Sequence, residues 1–447
     1  MAYAAKTARL LEEIASARRP GEAAAGLSKS TSNLFRNRAP RTRPRIDLGH
    51  FNEVVRVDAQ AGLVEAEGMT TFVDLADATL AAGAMPAVVP QLKSITLGGA
   101  VAGVGIEATS FRHGLVHDTI VAMDILTGDG RIIACTADNE YRDLFHGFPN
   151  SYGTLGYALK LTGRTVPVKR NVLVEHARYH DADRFFADLH LRCADANIDF
   201  VDGVAFAHDD LVLSCARFID DAPYVSDYTY ERIYYRSLRE RPIDYLTTRD
   251  YLWRWDTDWF WCSKNVGAQQ PFVRRLLGRR RLNSITYQKV MRWNARWHVT
   301  DALNRMRRVQ SEPVIQDVDI PIARAREFLD FLHAEVRIAP IWICPIAAPD
   351  PDAEATLYPL PRDSLSINFG FWDTVSSRET RPVGFVNRRI ERKVQDAGGV
   401  KSLYADSYFS KDEFWSIYDG DAYRALKARY DPQGALGDLY DKVVLRQ

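Results

Sequence analysis

Four glycines, Gly98, Gly99, Gly103 and Gly105, fall within eight residues of the segment PQLKSITLGGAVAGVGIEATSFRHG, Pro90 to Gly114. A residue without Cβ lets backbone N–H groups approach a diphosphate or a flat ring closely, which is what a dinucleotide site needs. A bare glycine pattern also serves an unliganded turn. The spacing departs from the G-x-G-x-x-G rule of doubly wound nucleotide folds, and no strand leads into a helix here as that rule requires. Two further segments offer related chemistry. Ser30, Thr31, Ser32 and Asn33 supply small hydroxyls and an amide, groups that hydrogen-bond a pyrophosphate. Asn150 to Gly156, NSYGTLG, is a second glycine-rich loop containing Gly153, Thr154 and Gly156.

The elements around these loops read as α+β. VVRVDAQAGLVEAEG predicts a hairpin, TFVDLADATLAAGAMPAVV a helix followed by a strand, and VAMDILTGDGRIIACT a second hairpin about Gly128-Asp129-Gly130. From about Val166 acidic and aromatic helices alternate with strands such as FVDGVAFAHDDLVLSCARF. The expected organisation is therefore residues 1–167 as a loop-bearing sheet domain, 168–400 as a mixed α/β substrate or cap domain, and 401–447 as a C-terminal segment.

Composition narrows the function. The 447 residues hold 58 Lys+Arg and 58 Asp+Glu, so no global charge favours nucleic acid or an anionic surface. Five scattered cysteines without a CxxC pair argue against a disulfide framework or a zinc site, and no metal is expected. The first residues read as an amphipathic helix rather than a signal peptide, and no stretch approaches the roughly 20 apolar residues of a membrane span. A reducing cytoplasm is the expected home. The segment from Tyr230 to Arg308 is locally crowded with Trp, Tyr and Arg. Such a mixture suits peripheral contact with an anionic membrane, and equally a pocket lined by tryptophans with arginines in solvent.

Three ordered matches give these pieces a context. Thr96-Leu97-Gly98-Gly99 with the glycine-punctuated loop through Ile106 to His113-Gly114, preceded by Ser30 to Asn33 and followed by Asn150 to Gly156, resembles the FAD loops of the vanillyl-alcohol oxidase (PCMH-type) superfamily. The likeness narrows to the FAD-dependent Δ24-sterol reductases. It is carried by SNLFR (Ser32 to Arg36), the Pro90–Gly114 segment, WRWDTDWFW (Trp253 to Trp261), VIQDVDIP (Val314 to Pro321), PIWICPIAAP (Pro340 to Pro349), GGVKSLYADSYFSKDEFWSIYDG (Gly398 to Gly420) and LYDKV (Leu439 to Val443).

That resemblance implies a two-domain flavoprotein in which NADPH delivers a hydride through FAD to an isolated alkene of a lipid while an acid protonates the other carbon. The substrate would be a methylene-bearing or unsaturated acyl chain, or a sterol side chain. No histidine stands among Ser30 to Asn33, so the flavin is expected to be noncovalent. Tyr404, Asp406 and Tyr408 are the candidate acids; on a strand their even spacing would place them on one face. Glu107, Arg112 and His113 follow the glycine loop directly and would tune the flavin or bind cofactor phosphate. Lys442 would place positive charge near the flavin N1/O2 edge. Other members of the superfamily are oxidases of sugars or alditols, and a non-catalytic lipid-binding flavin fold is a third possibility.

Overall fold

The computed structural model describes residues 2–17, 26–28, 35–36, 45–297, 309–348 and 357–446. Two antiparallel sheets carry it. The first orders Val54–Asp58, Leu63–Glu67, Gly156–Pro167, Ile120–Thr127 and Ile132–Cys135, with Ala84–Pro86 paired to the end of Gly156–Pro167. Both expected hairpins form. Gly130 turns the second with φ +89°, a conformation that costs glycine little. Helix Phe72–Ala81 follows the first, capped by Thr71, whose side chain accepts from the Asp74 amide. It buries Phe72, Leu75, Ala76 and Thr79, the three-and-four spacing of one apolar face.

The second sheet begins at Asn171 and runs in the spatial order Ile243–Thr247, Asn171–Tyr179, Asp210–Ile219, Phe200–Ala207, Ile341–Ile346, Ser366–Ser377, Gln310–Pro321, Val400–Lys401. Helices Ala182–Cys193, Ile322–Phe331 and Phe385–Asp396 cover one face, where Val314, Val318 and Ile320 pack with Phe185, Phe328 and Ile390. Side chains alternate along a strand, so Asp317 and Asp319 point to the opposite face. That face looks toward the first sheet. After Lys401 the chain leaves the second sheet, and helices Lys411–Ile417, Gly420–Tyr430 and Leu439–Val443 return to the first: Lys427 donates to the Thr154 carbonyl at 2.8 Å and Arg429 pairs with Asp143 at 2.9 Å. The fold is α+β.

Candidate active site

Residues of both sheets wall one cavity of about 1660 Å³, its open mouth included. Its floor is the glycine loop. Thr96 caps the short helix Leu97–Ala102 by accepting from the Gly99 amide at 3.2 Å. Gly98 donates to the Gly68 carbonyl at 2.9 Å, and a Cβ on Gly68 would stand 1.9 Å from the Ala158 carbonyl oxygen. These glycines thus let loop backbone lie directly on strand backbone. Past Gly103 the amides of Val104, Gly105 and Ile106 have no acceptor among the described residues. Consecutive free amides make an anion-binding concavity. The Gln91 carboxamide lines the same cavity with neither end in a well-formed hydrogen bond. Orphaned donors beside a glycine floor fit the diphosphate and polar ring edge of a flavin dinucleotide.

The opposite wall is aromatic. Trp259, Phe260, Trp342, Trp372, Phe35 and Tyr404 line it. Phe260 stacks on Trp372 with centroids 4.3 Å apart and on Trp255 at 4.8 Å. Trp259 and Phe260 sit side by side at φ +44° and +58°, left-handed conformations that cost a large side chain free energy and persist only where surroundings enforce them. Asp317, Gly370 and Trp342 occupy one row across three strands. A Cβ on Gly370 would come within 2.6 Å of Asp317 Oδ1 and 2.8 Å of the Trp372 ring, so glycine here keeps the room in front of the carboxyl.

Two protonatable groups face this room. Asp317 lines the cavity with its Oδ1 covered from solvent, and burial pushes its pKa up to about 7, with Tyr404 opposing the effect and the charge of Asp319 adding to it. Tyr404 stays protonated well past the ordinary phenol range, through burial and then through Asp317. Neither the Tyr404 hydroxyl nor Asp317 Oδ1 is committed to a well-formed bond elsewhere. Asp319 lies deeper, accepting from Tyr358 at 2.6 Å and Asn368 at 2.7 Å, with its pKa raised by burial to about 6.

The glycine loop and every strand of the first sheet except Gly156–Pro167 fall within a match to the family model described as FAD binding domain, over residues 2–136. The human Delta(24)-sterol reductase is 25% identical over 416 residues, spanning 88% of this chain and 76% of the relative. The Arabidopsis thaliana Delta(24)-sterol reductase is 23% identical over 445 residues, spanning 89% and 76%. The chain is an FAD-dependent oxidoreductase, similar over most of its length to Delta(24)-sterol reductases. A second branch is also visible: Cytokinin dehydrogenase 7 of Oryza sativa subsp. japonica is 30% identical, but over 33% of the chain.

In this reductase-like flavoprotein Thr96, Gly98, Gly99, Gly103, Gly105, Ile106, Gly153, Gly156, Tyr404 and Lys442 all line the one cavity. Lys442 arrives from the C-terminal helix and donates to the Tyr152 carbonyl at 2.6 Å. Ser30, Thr31, Ser32 and Asn33 lie outside the described residues. The remaining expectations need correction. Residues after Lys401 form turns rather than a strand, so the even spacing of the three candidate acids does not give a shared face. Asp406 turns to Arg446 at 3.4 Å, and the Tyr408 hydroxyl accepts from the same Arg446 at 3.3 Å, leaving only Tyr404 in the cavity. Glu107 sits one layer behind, bound to Arg254 at 2.9 Å, and the same guanidinium holds Asp202 at 2.8 Å. Arg112 donates to the Asp195 carbonyl at 3.1 Å. His113 and Gly114 end a short helix away from the cavity, and burial lowers the His113 pKa. The Thr154 hydroxyl is spent on the Ser151 carbonyl at 2.7 Å.

Asp317, Gln91 and Tyr152 were missed. Asp317 had a legible signal: two carboxylates two residues apart in VIQDVDIP, a strand apolar but for them and Gln316, must share one face, and that face must be special. The tryptophan-rich segment splits. Trp253, Trp255, Trp259 and Trp261 are buried as core and cavity wall, whereas Phe272, Leu276, Ile285, Val290, Met291 and Trp293 are exposed.

Proposed function

We propose that this flavoprotein reduces an isolated carbon–carbon double bond in a lipid, with NADPH as hydride donor and FAD held noncovalently. The supporting observation is that the glycine floor and the aromatic wall belong to one cavity that an acid and a phenol, Asp317 and Tyr404, also line. FAD, when bound, would relay a hydride from NADPH to one alkene carbon. The other carbon then needs a proton, and an alkene without a carbonyl offers no oxygen to polarise, so the donor must stand in a dry pocket against carbon. The Asp317–Tyr404 pair meets that need. The carboxyl holds a proton near neutrality, and the carboxylate left after protonation of the carbon regains a proton from solvent during product release. Trp259, Phe260, Trp342 and Trp372 exclude water and grip an apolar chain.

On this reading residues 1–167 hold FAD, 168–400 cover the substrate and 401–447 return Lys442 to the flavin. The relatives' names state a sterol reduction; a methylene-bearing acyl chain presents the same isolated alkene, and both remain within the proposal. No helix among the described residues is long and apolar enough to cross a membrane, and a cytoplasmic setting is proposed with the NADPH assignment. The test is an anaerobic absorbance titration of the yellow protein with NADPH, followed by unsaturated lipids. Bleaching by NADPH and recovery of colour with a sterol or acyl alkene is the expected result. A flavin that NADPH leaves oxidised, or a reduced flavin that no lipid alkene reoxidises, overturns the proposal.

A further inference from the structure

The stretch from Pro271 to Trp293 carries a surface that the cavity does not use. Fourteen large hydrophobic side chains are exposed among the described residues, and six of them, Phe272, Leu276, Ile285, Val290, Met291 and Trp293, fall here. Single exposed hydrophobics need no explanation, but a cluster rimmed by charge marks an interaction site. Phe272 and Leu276, 77% and 72% exposed, lie one turn apart on helix Pro271–Leu277. On helix Ser284–Trp297, Ile285, Lys289 and Trp293 repeat at four-residue spacing and form one stripe. Arg279, Arg280 and Arg281 make the turn between the helices, none of them buried. Arg279 pairs with Asp227 at 2.9 Å, but Arg280 and Arg281 have no ion-pair partner among the described residues.

Both helices are anchored from behind by three consecutive residues. Asp256 accepts from the Ser284 hydroxyl at 2.5 Å, the Thr257 carbonyl accepts from Tyr287 at 2.8 Å, and Asp258 holds the buried Arg274 guanidinium. The next two residues, Trp259 and Phe260, are the strained part of the cavity wall. The exposed surface and the lipid-accepting wall are therefore two ends of one tied segment.

We propose that this surface docks the protein on the headgroup region of an anionic lipid bilayer, with Phe272, Leu276 and Trp293 inserted and Arg280, Arg281 and Lys289 against lipid phosphates. Charge complementarity selects this occupant. The chain as a whole is neutral, so unpaired cations gathered beside strongly exposed apolar groups give an oriented attraction to a negative surface. A second copy of the chain seated here about a two-fold axis would set these arginines against their own counterparts.

Vesicle flotation of the full FAD-loaded chain tests this without turnover, so it is independent of the proposed reaction. The parent should float with phosphatidylcholine vesicles containing phosphatidylglycerol, not with phosphatidylcholine alone, and less well as salt rises. Arg280→Gln with Arg281→Gln should lower partitioning roughly 30-fold, at about one unit of cationic attraction per arginine. Phe272→Ser with Leu276→Ser should abolish flotation while the yellow absorbance and melting curve are kept. A parent that stays at the bottom of the gradient, or variants that float as well as the parent, overturns the proposal. So does a dimer that the Phe272→Ser/Leu276→Ser variant dissociates in the absence of vesicles, since that result assigns the surface to a second copy.

Discussion

In the proposed reaction Asp317 is the group on which proton supply turns. Removing its titratable proton by Asp317→Asn, or the phenol by Tyr404→Phe, should each cut turnover by roughly 10²- to 10⁴-fold, the usual reach of a positioned acid. Flavin content should be unchanged, which absorbance will read alongside activity. Because Asp317 acts in its protonated form and its pKa lies near 7, single-turnover rates should be flat at lower pH and fall as pH rises through about 7. Asp317→Asn should lose that limb. Lys442 makes a separate claim: its cation lines the cavity through the bond to the Tyr152 carbonyl. Lys442→Met should lower the flavin midpoint potential by on the order of 30 mV, a tenfold change for a two-electron couple; an unchanged potential in a spectroelectrochemical titration removes this role. Glycines and lysine were legible as site residues because their chemistry is local to a motif. The two tyrosines and the aspartate at 404–408 were not separable by sequence, since their direction depends on a turn that brings Asp406 and Tyr408 to Arg446, far along the chain.

At the scale of elements, strand Ser366–Ser377 controls the room in front of the acid. Gly370→Ala would place a methyl group 2.6 Å from Asp317 Oδ1 and 3.1 Å from the Trp342 ring, so the carboxyl or the indoles must move. The expected outcome is a raised KM for lipid with FAD binding intact, and equal kinetics for variant and parent would refute it. The hairpins and helix of the first sheet were readable because short alternating runs, turn glycines and a hydroxyl cap are local instructions. Gly370 was not, because what it accommodates comes from two other strands. The WRWDTDWFW turn shows the same limit: composition announced aromatic burial or an interface, and only the ties from Asp256, Thr257 and Asp258 divide the buried tryptophans from the exposed helices.

Across the whole molecule, the buried Arg254 joins the residue after the glycine loop, Glu107, to Asp202 on the second sheet, and Trp342 Nε1 donates to the same Asp202 at 3.2 Å. Arg254→Met would leave two carboxylates buried without their cation. A loss of about 3–5 kcal/mol is expected from urea unfolding, together with weaker FAD retention. The acids of the cavity add a pH dependence. Asp317 and Asp319 have folded pKa values raised to about 7 and about 6, so the folded state binds protons that the unfolded chain has released. Their contribution is fully present below the ordinary aspartate pKa and is lost as pH rises through 6 and 7, and the urea midpoint of Asp319→Asn should lose part of that decline.

The cavity is closed by partners far apart in sequence. Arg36 donates to the Leu403 carbonyl across 367 residues, and Lys442 reaches Tyr152 across 290. A chain emerging from the ribosome folds its early hairpins long before these bonds can form. Growing or prematurely ended chains would therefore carry a glycine floor with no far wall. If capture of the pigment needs Lys442 in place, the ratio of flavin absorbance to protein should fall in chains cut short before Leu439.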